Sequence, residues 1–203
     1  MKRHIYSICI AVTLGLITLP GGVLAQALAT GSSIPMKDRA MQSVSGETAS
    51  IGSVKGEKGT VVTFWCKTCP WVGRYEERFV ALAKSYQAKG FGFIAINSND
   101  PVGYPGDNFD EMKAQADAGD YTFPYVVDVG SEVAVAFGAK RTPQVFVFDS
   151  ADKLAYQGAI DDSPADAAKV ADAYLANALD AILSGGAIAQ AETKAFGCTI
   201  KFQ

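Results

Sequence analysis

The sequence predicts an α/β fold with three layers, in which a central mixed sheet is flanked by helices. Residues 60–65 are apolar and β-branched, residues 67–88 have apolar side chains at helical spacing, and residues 91–97 form a second apolar run. A strand, a helix and a strand within about 35 residues indicate parallel strands joined by a crossover helix, in a sheet covered on both faces. Residues 144–149 and 154–160 predict an antiparallel hairpin, which makes the sheet mixed.

Shorter elements complete this arrangement. A polar segment rich in Gly and Ser predicts an N-terminal hairpin near residues 44–50, at the edge of the sheet. A helix is expected at residues 109–118, with Asp107 or Asn108 as its cap. The pattern also predicts a strand at 125–128, a helix at 132–137, and a closing helix at 165–183 that is capped by Ser163-Pro164.

The first 25 residues have the features of a secretory signal peptide. Lys2 and Arg3 give a positive start, residues 5–19 are apolar, and small residues up to Ala25 offer a cleavage site. An uncleaved membrane anchor is the alternative, although the apolar run is shorter than the ~20 residues that a span needs. We therefore expect export to the bacterial periplasm without stable membrane insertion, and we predict a signal peptide at 1–25, a folded domain at 26–185 and a C-terminal tail at 186–203.

Charge and histidine content exclude several classes of function. The chain has 18 basic and 21 acidic residues; two basic and no acidic residues lie in the predicted leader, so its removal changes the net charge from -3 to -5. A nucleic-acid partner is not expected for such an acidic chain. The one histidine, His4, also lies in the leader, which excludes Ser-His and Cys-His hydrolases and histidine-ligated metals. No cofactor and no metal are expected.

The chemistry is expected at a Cys-x-x-Cys pair, where an apolar strand meets a helix. If the helix begins near Cys66, unpaired backbone N–H groups and the helix dipole lower the pKa of its thiol, which makes Cys66 the expected nucleophile. Cys69 is then the resolving thiol on the same helix face. Pro70 suits a helix start because the N–H that it lacks has no acceptor there, and Lys67 is expected to favour the thiolate.

Two other uses of the pair fit the sequence less well. A zinc site needs four ligands, usually two such pairs or a pair with histidines, and this chain has one pair. A structural disulfide across so short a loop constrains the unfolded chain little. Redox chemistry is therefore the preferred interpretation.

Five motifs stand in a fixed order along the chain: Trp65-Cys66-Lys67-Thr68-Cys69-Pro70, Ala95-Ile96-Asn97-Ser98-Asn99-Asp100, Thr142-Pro143, Ile160-Asp161-Asp162 and Gly197-Cys198-Thr199-Ile200-Lys201. With the alternation of strands and helices, they resemble the thioredoxin-like fold. More narrowly, they resemble secreted bacterial redoxins, thiol-disulfide oxidoreductases of the TlpA/ResA type with a Cys-x-x-Cys-Pro site and a Gly-Cys-x-Ile-Lys tail. The segment at about 91–128 is similar to the strand-helix insertion of those proteins and of peroxiredoxins.

This resemblance implies roles for several residues. Pro143 is implied to be a cis-proline that faces the cysteine pair, and the backbone of Thr142 is implied to pair with an extended segment of a substrate. The position of Trp65 beside Cys66 implies thioredoxin chemistry. The implied partners are protein disulfides or thiols and a redox protein that donates or accepts electrons. The resemblance favours a reductant over an oxidant.

The chain also departs from this resemblance. Similar proteins with this tail have Cys where this chain has Arg141, and the buried acid that thioredoxins place beneath the pair is missing, with Glu57 as the candidate substitute. A peroxiredoxin-like peroxidase is one alternative, because Thr63 and Cys66 match a Thr-x-x-Cys motif and Arg141 is a candidate to orient peroxide. Against it, Gly59 stands where that motif has proline, and Arg141 is equally an ordinary surface cation. A module that binds Cu(I) between the two thiols is another alternative.

Cys198 leaves the mature chain with an odd number of cysteines. In an oxidising compartment, this indicates a reactive thiol or an intermolecular disulfide. Cys198 is a candidate third redox thiol if the tail folds back to the active site. It is equally a candidate small buried apolar residue, with Phe196 and Ile200 as anchors of the tail.

Overall fold

The computed structural model describes residues 28–203, so the predicted signal peptide lies outside the described residues. This part of the chain contains nine strands and four α-helices. The strands are β1 (Met41–Ser43), β2 (Thr48–Ala49), β3 (Gly59–Phe64), β4 (Phe91–Asn97), β5 (Tyr125–Val127), β6 (Arg141–Thr142), β7 (Gln144–Asp149), β8 (Leu154–Gly158) and β9 (Cys198–Thr199). The helices are α1 (Pro70–Gln87), α2 (Phe109–Ala118), α3 (Glu132–Phe137) and α4 (Tyr174–Ser184).

Seven strands form one mixed sheet, in the order β2-β1-β5-β4-β3-β7-β8, and β6 and β9 form a separate two-stranded sheet. Strands β3, β4 and β5 run parallel, and their register places Val61 opposite Phe93. Strand β7 is antiparallel to β3 and places Val147 on the other side of Val61. The predicted mixed sheet is therefore confirmed, with the β1–β2 hairpin at one edge and β8 at the other.

Different elements cover the two faces of the sheet, because side chains alternate along each strand. On one face, Val61 and Phe93 pack with helices α1, α2 and α4. On the other face, Val62 and Phe64 pack with α3 and with the segment around β1 and β2. Strands β3 and β4 are buried along their whole length, which explains why their sequences are almost entirely apolar. The predicted three-layer fold is confirmed.

The closing helix is shorter than the sequence predicts. The prediction covers residues 165–183, whereas α4 begins at Tyr174 and residues 163–173 form turns and a short 3-10 helix (Ala167–Lys169). One of these turns is held by the Asp162 carboxylate, which accepts a hydrogen bond from the N–H of Ala171 at 3.0 Å. Side-chain bonds of this kind compete with the backbone bonds of a helix, and they are not visible as a periodic pattern.

Other predicted boundaries agree more closely with the structure. Strand β4 and helices α2 and α3 have the predicted bounds. Asn108 is the cap of α2, and its side-chain oxygen accepts a hydrogen bond from the N–H of Glu111 at 2.9 Å. The N-terminal hairpin begins at Met41, slightly earlier than predicted.

Residues 186–203 pack along the domain. Ala191 and Thr193 form backbone hydrogen bonds with Gln157 of β8, both at 3.0 Å, and β9 pairs with β6. The division between domain and tail at residue 185 stays a prediction. Within residues 28–203, no helix is both long enough and apolar enough to cross a membrane.

Candidate active site

The two cysteines of the pair lie in the loop that joins β3 to α1. The N–H of Trp65 bonds to the Ile96 carbonyl at 2.9 Å, which extends the β3–β4 ladder to the residue before Cys66. Helix α1 then begins at Pro70, with Cys69 as its N-cap in an extended conformation. The predicted helix start near Cys66 is therefore wrong. The reason is local, because a proline disfavours the helical conformation in the residue before it.

Thr142 contacts both thiols of the pair. Its hydroxyl lies 3.2 Å from the Sγ of Cys66, and its carbonyl oxygen accepts a hydrogen bond from the Cys69 thiol at 3.0 Å. The peptide bond between Thr142 and Pro143 is cis. The structure thus brings four of the predicted site residues together at the end of β6.

Cys69, not Cys66, has the lowered pKa. A hydrogen bond from the Cys66 thiol lowers the pKa of Cys69 to about 5, against the opposing effect of burial. Cys198 and the N–H of Val72, which has no acceptor within α1, lower it further. The pKa of Cys66 is raised by its hydrogen bond with Cys69, by burial and by the negative charge of Asp107. The effect of a helix start, which the sequence predicts for Cys66, therefore acts on Cys69.

The C-terminal tail lies over the cysteine pair. Strand β9 pairs antiparallel with β6, and this register places Cys198 opposite Thr142. Cys66 and Cys69 are only 1% and 2% exposed, whereas Cys198 is half-buried. The tail therefore folds back to the site, and the most accessible of the three thiols is the one that it carries.

Asp107 is a buried carboxylate beside the pair, and it is absent from the predicted site. It accepts hydrogen bonds from the N–H of Thr68 at 2.9 Å, from the Thr68 hydroxyl at 2.6 Å and from the Asn99 amide at 2.8 Å. These bonds hold the centre of the Cys-x-x-Cys loop. The signal in the sequence was ambiguous, because an aspartate before a helix predicts a cap equally well.

Glu57 does not replace the missing acid. It lies before the start of β3, while the cysteine loop follows the end of that strand. A strand of six residues spans roughly 20 Å at the usual rise per residue. The acid close to the pair is Asp107, which is supplied by the loop after β4.

Trp65 is fixed by aromatic packing and by one hydrogen bond. Its ring stacks on Phe79 with centroids 5.0 Å apart, and its Nε1 donates to the hydroxyl of Tyr121 at 2.8 Å. The Tyr121 hydroxyl in turn donates to the carboxylate of Glu76. Because Trp65 is fully buried, it supports the cysteine loop from inside the domain.

Lys67 and Pro70 differ in how well they match their predicted roles. Lys67 forms an ion pair with Glu111 and is not among the groups that shift the pKa of Cys66 or Cys69. Its predicted effect on the thiolate stays a prediction. Pro70 occupies the first position of α1.

Among residues 28–203, neither Arg141 nor Thr63 forms a side-chain hydrogen bond with Cys66. The guanidinium of Arg141 donates to the Thr199 hydroxyl at 3.1 Å and to the Gly197 carbonyl at 3.4 Å. The Thr63 hydroxyl is buried in β3 and has no hydrogen-bond partner among residues 28–203. Arg141 therefore holds the tail.

The copper alternative depends on the thiols alone. From residue 28 to the C-terminus, no group of three or more His, Cys, Asp or Glu side chains is arranged to hold a metal ion. Two neighbouring thiols match the preference of Cu(I) for soft ligands, so copper binding stays a prediction.

Comparison with known proteins gives consistent results. A sequence profile described as the AhpC/TSA family matches residues 33–157. The thiol-disulfide oxidoreductase ResA of Geobacillus thermodenitrificans is 29% identical over 131 residues, which cover 63% of this chain and 68% of that protein. A crystal structure of an uncharacterized conserved protein from Geobacillus kaustophilus superposes with a TM-score of 0.81 and 37% identity, over 86% of this chain and 93% of that chain. A thioredoxin-like protein in its oxidized form superposes with a TM-score of 0.61 and 21% identity, over 77% of this chain and 97% of that chain, which confirms the thioredoxin-like fold.

Proposed function

Because the chain belongs to the AhpC/TSA family, we propose that it is an exported thiol-disulfide oxidoreductase that acts on protein disulfides through Cys66 and Cys69. One observation carries this proposal: both thiols meet at Thr142, whose backbone lies on a strand edge suited to pair with an extended chain. The similarity to a protein named as a thiol-disulfide oxidoreductase supports the class of reaction. Export rests on the predicted leader at residues 1–25.

The proposed reaction begins at the thiolate of the pair. We assign the first attack to Cys69, because its hydrogen bond with Cys66 lowers the pKa of Cys69 and raises that of Cys66. The proton that Cys69 donates to the Thr142 carbonyl is lost before the attack. The thiolate attacks one sulfur of the substrate disulfide, and the other substrate sulfur leaves with the electron pair and takes up a proton. Cys66 then loses its proton and attacks Cys69. This step releases the second substrate thiol and forms the Cys66–Cys69 disulfide, so two electrons pass to the substrate.

The order of these steps follows from the influences on Cys66. The largest influence that raises its pKa is the hydrogen bond with Cys69, and the hydroxyl of Thr142 acts in the opposite direction. Once Cys69 is part of a mixed disulfide, it has no thiolate to accept that hydrogen bond. The pKa of Cys66 then falls, and Cys66 becomes a nucleophile only when the second step requires it.

We propose reduction of substrates as the direction, in line with the resemblance to redoxins of the TlpA/ResA type. Redox pairs of this chemistry span from about -270 mV to about -120 mV. Equilibration of the mature chain with glutathione buffers measures where this pair lies. A potential below about -200 mV supports a reductant, and a potential near about -120 mV contradicts it.

Turnover of a protein disulfide tests the proposed reaction directly. The mature chain is reduced beforehand, freed of reductant and mixed with insulin, beside a Cys66→Ser variant that also carries Cys198→Ala. We expect the wild-type chain to reduce insulin disulfides and the variant to complete this reaction about 1000-fold more slowly, because no thiol remains in it to attack the mixed disulfide. Consumption of hydrogen peroxide by a wild-type chain that leaves insulin disulfides intact would overturn the proposal in favour of a peroxidase.

A further inference from the structure

The tail occupies the edge of β6 that the proposed function requires for the substrate. Cys198 pairs with Thr142, and the N–H of Ile200 extends the pairing to the Lys140 carbonyl at 3.1 Å. Each of these backbone groups forms its hydrogen bond with one strand at a time. The tail and an extended substrate therefore exclude each other at β6.

Specific contacts hold the tail in this register. Gly197 passes so close to the Thr142 carbonyl oxygen that any side chain at this position would collide with it. Ile200 is buried in the core beneath α3, and the N–H of Lys201 bonds to the side-chain oxygen of Asn99 at 2.8 Å. These contacts explain the glycine and the isoleucine of the Gly-Cys-x-Ile-Lys motif. They do not explain the cysteine.

Cys198 meets one particular member of the pair. Its thiol and its backbone both lower the pKa of Cys69, and burial together with Cys69 raises the pKa of Cys198 to about 11. The strand register gives the same placement, because Cys198 lies opposite Thr142 and the Cys69 thiol contacts the carbonyl oxygen of Thr142 at 3.0 Å. Cys198 is not among the groups that shift the pKa of Cys66. A thiol held against Cys69 by a paired strand occupies the place of a substrate sulfur.

We propose that Cys198 is a third redox thiol, which exchanges with the Cys66–Cys69 disulfide by attack on Cys69 while the tail is paired with β6. This inference rests on the proposed function, because it requires the Cys66–Cys69 disulfide as its starting point. The tail is thus a built-in occupant of the substrate site.

The exchange is balanced within the chain. The Cys198 thiolate attacks the Sγ of Cys69, a Cys69–Cys198 bond forms, and the Cys66–Cys69 bond breaks. The electron pair leaves on the Sγ of Cys66, which takes up the proton that Cys198 released. No net oxidation occurs, so no external oxidant or reductant is needed. In the product the tail is bonded across the site, and a substrate strand does not reach β6 until the exchange reverses.

Mapping of disulfides in oxidised variants tests this inference. The Cys66→Ser and Cys69→Ser chains are each treated with one equivalent of diamide, and their disulfides are identified by mass spectrometry of non-reduced peptides. We expect Cys66→Ser to form an intrachain Cys69–Cys198 disulfide at least about tenfold faster than Cys69→Ser joins its two remaining thiols, because Cys198 influences Cys69 and is not among the groups that shift the pKa of Cys66. Wild-type chain is expected to contain both Cys66–Cys69 and Cys69–Cys198 bonds.

A matched control separates docking of the tail from simple flexibility. Addition of Gly197→Ala to Cys66→Ser should slow closure of the Cys69–Cys198 bond, because the new methyl group pushes the tail from Thr142. Two free thiols in oxidised Cys66→Ser, or closure at the same rate with and without Gly197→Ala, would overturn the inference. Failure of the proposed function looks different: wild-type chain would leave insulin disulfides intact, whichever intrachain bond forms.

Discussion

The cysteine loop and the C-terminal tail bring thiols to the same residue, Thr142, in different ways. The loop is short and joins two elements of the core, since β3 ends at Phe64 and α1 begins at Pro70, and Asp107 bonds to its centre. The tail follows α4 and is fixed by contacts such as those with the Lys140 carbonyl and the side chain of Asn99. We therefore expect the tail to leave β6 more readily than the loop leaves its place between β3 and α1.

The largest expected effect concerns which thiol of the loop attacks a substrate. In a Cys198→Ala chain, where the tail thiol cannot compete, we expect Cys66→Ser to trap mixed disulfides with a protein substrate about 100-fold faster than Cys69→Ser, because the lowered pKa of Cys69 favours its thiolate. Electrophoresis without reductant, followed by mass spectrometry, measures the trapped species. Faster trapping by Cys69→Ser would contradict the assignment and return the attacking role to Cys66.

The next effect concerns how firmly the tail is held. Replacement of a buried Ile by Ala costs about 2–5 kcal/mol, so Ile200→Ala should weaken docking of the tail. We expect alkylation of Cys69 by iodoacetamide to become faster by about 30-fold, the factor that corresponds to roughly 2 kcal/mol. Phe202→Ala is the matched control, since Phe202 lies in the same tail but is 45% exposed. Equal acceleration by both variants would show that Ile200 is not an anchor.

A smaller effect concerns the influence of the tail on the loop. Because Cys198 lowers the pKa of Cys69, Cys198→Ala should raise this pKa from about 5 towards its ordinary value of 9.0. A group whose pKa is lowered by folding stabilises the folded state when the pH is above the ordinary pKa of that group. This contribution is lost as the pH falls through the pKa of the group in the folded state. The free energy of unfolding of the reduced wild-type chain should therefore fall between pH 9 and pH 5, more steeply than that of the variant.

Titration of thiolate absorbance at 240 nm, with chemical denaturation at each pH, measures both quantities. The reduced Cys66→Ser chain, which keeps Cys198, identifies the share of the shift that comes from Cys66. A titration curve of Cys198→Ala that overlies that of the wild-type chain would show that the tail has no influence on Cys69.

The smallest expected effect is that of Lys67→Ala. The ion pair of Lys67 with Glu111 is partly exposed, and such pairs contribute about 0–1 kcal/mol to the free energy of unfolding. We expect a loss within this range and no change in the pKa of Cys69. Lys113→Ala, which removes the exposed pair with Asp117 on α2, is the matched control. A clear rise in the pKa of Cys69 in Lys67→Ala alone would contradict this expectation and support the predicted effect of this lysine on the thiolate.

The sequence predicts the loop better than the tail, and the reason is the range of the interactions. Strands β3 and β4 and helix α2 are visible as local patterns, because burial on one or both faces dictates their side chains. The order of the motifs also predicts the family and its oxidoreductase class, which the comparisons confirm. The late start of α1 was predictable, since Pro70 disfavours helix at Cys69, but the apolar spacing that follows it concealed the boundary.

Contacts between distant segments leave no comparable local pattern. Asp107 resembles a helix cap in the sequence, and only the fold shows that its carboxylate bonds to Thr68. Likewise, no spacing in the sequence predicts that Cys198 lies opposite Thr142 and beside Cys69. The sequence predicts the lowered pKa at Cys66, whereas the structure has it at Cys69. The reason is the same, because this pKa depends on groups that only the fold brings together.

We propose that the edge of β6 serves two occupants, the tail and the substrate. Hydrogen exchange at the amides of Ile200 and Lys201, which bond to the Lys140 carbonyl and to Asn99, measures occupancy by the tail. We predict that both amides are protected in the free protein and exchange rapidly when a protein substrate is trapped at the loop as a mixed disulfide. Equal protection in the free and the trapped protein would contradict the account.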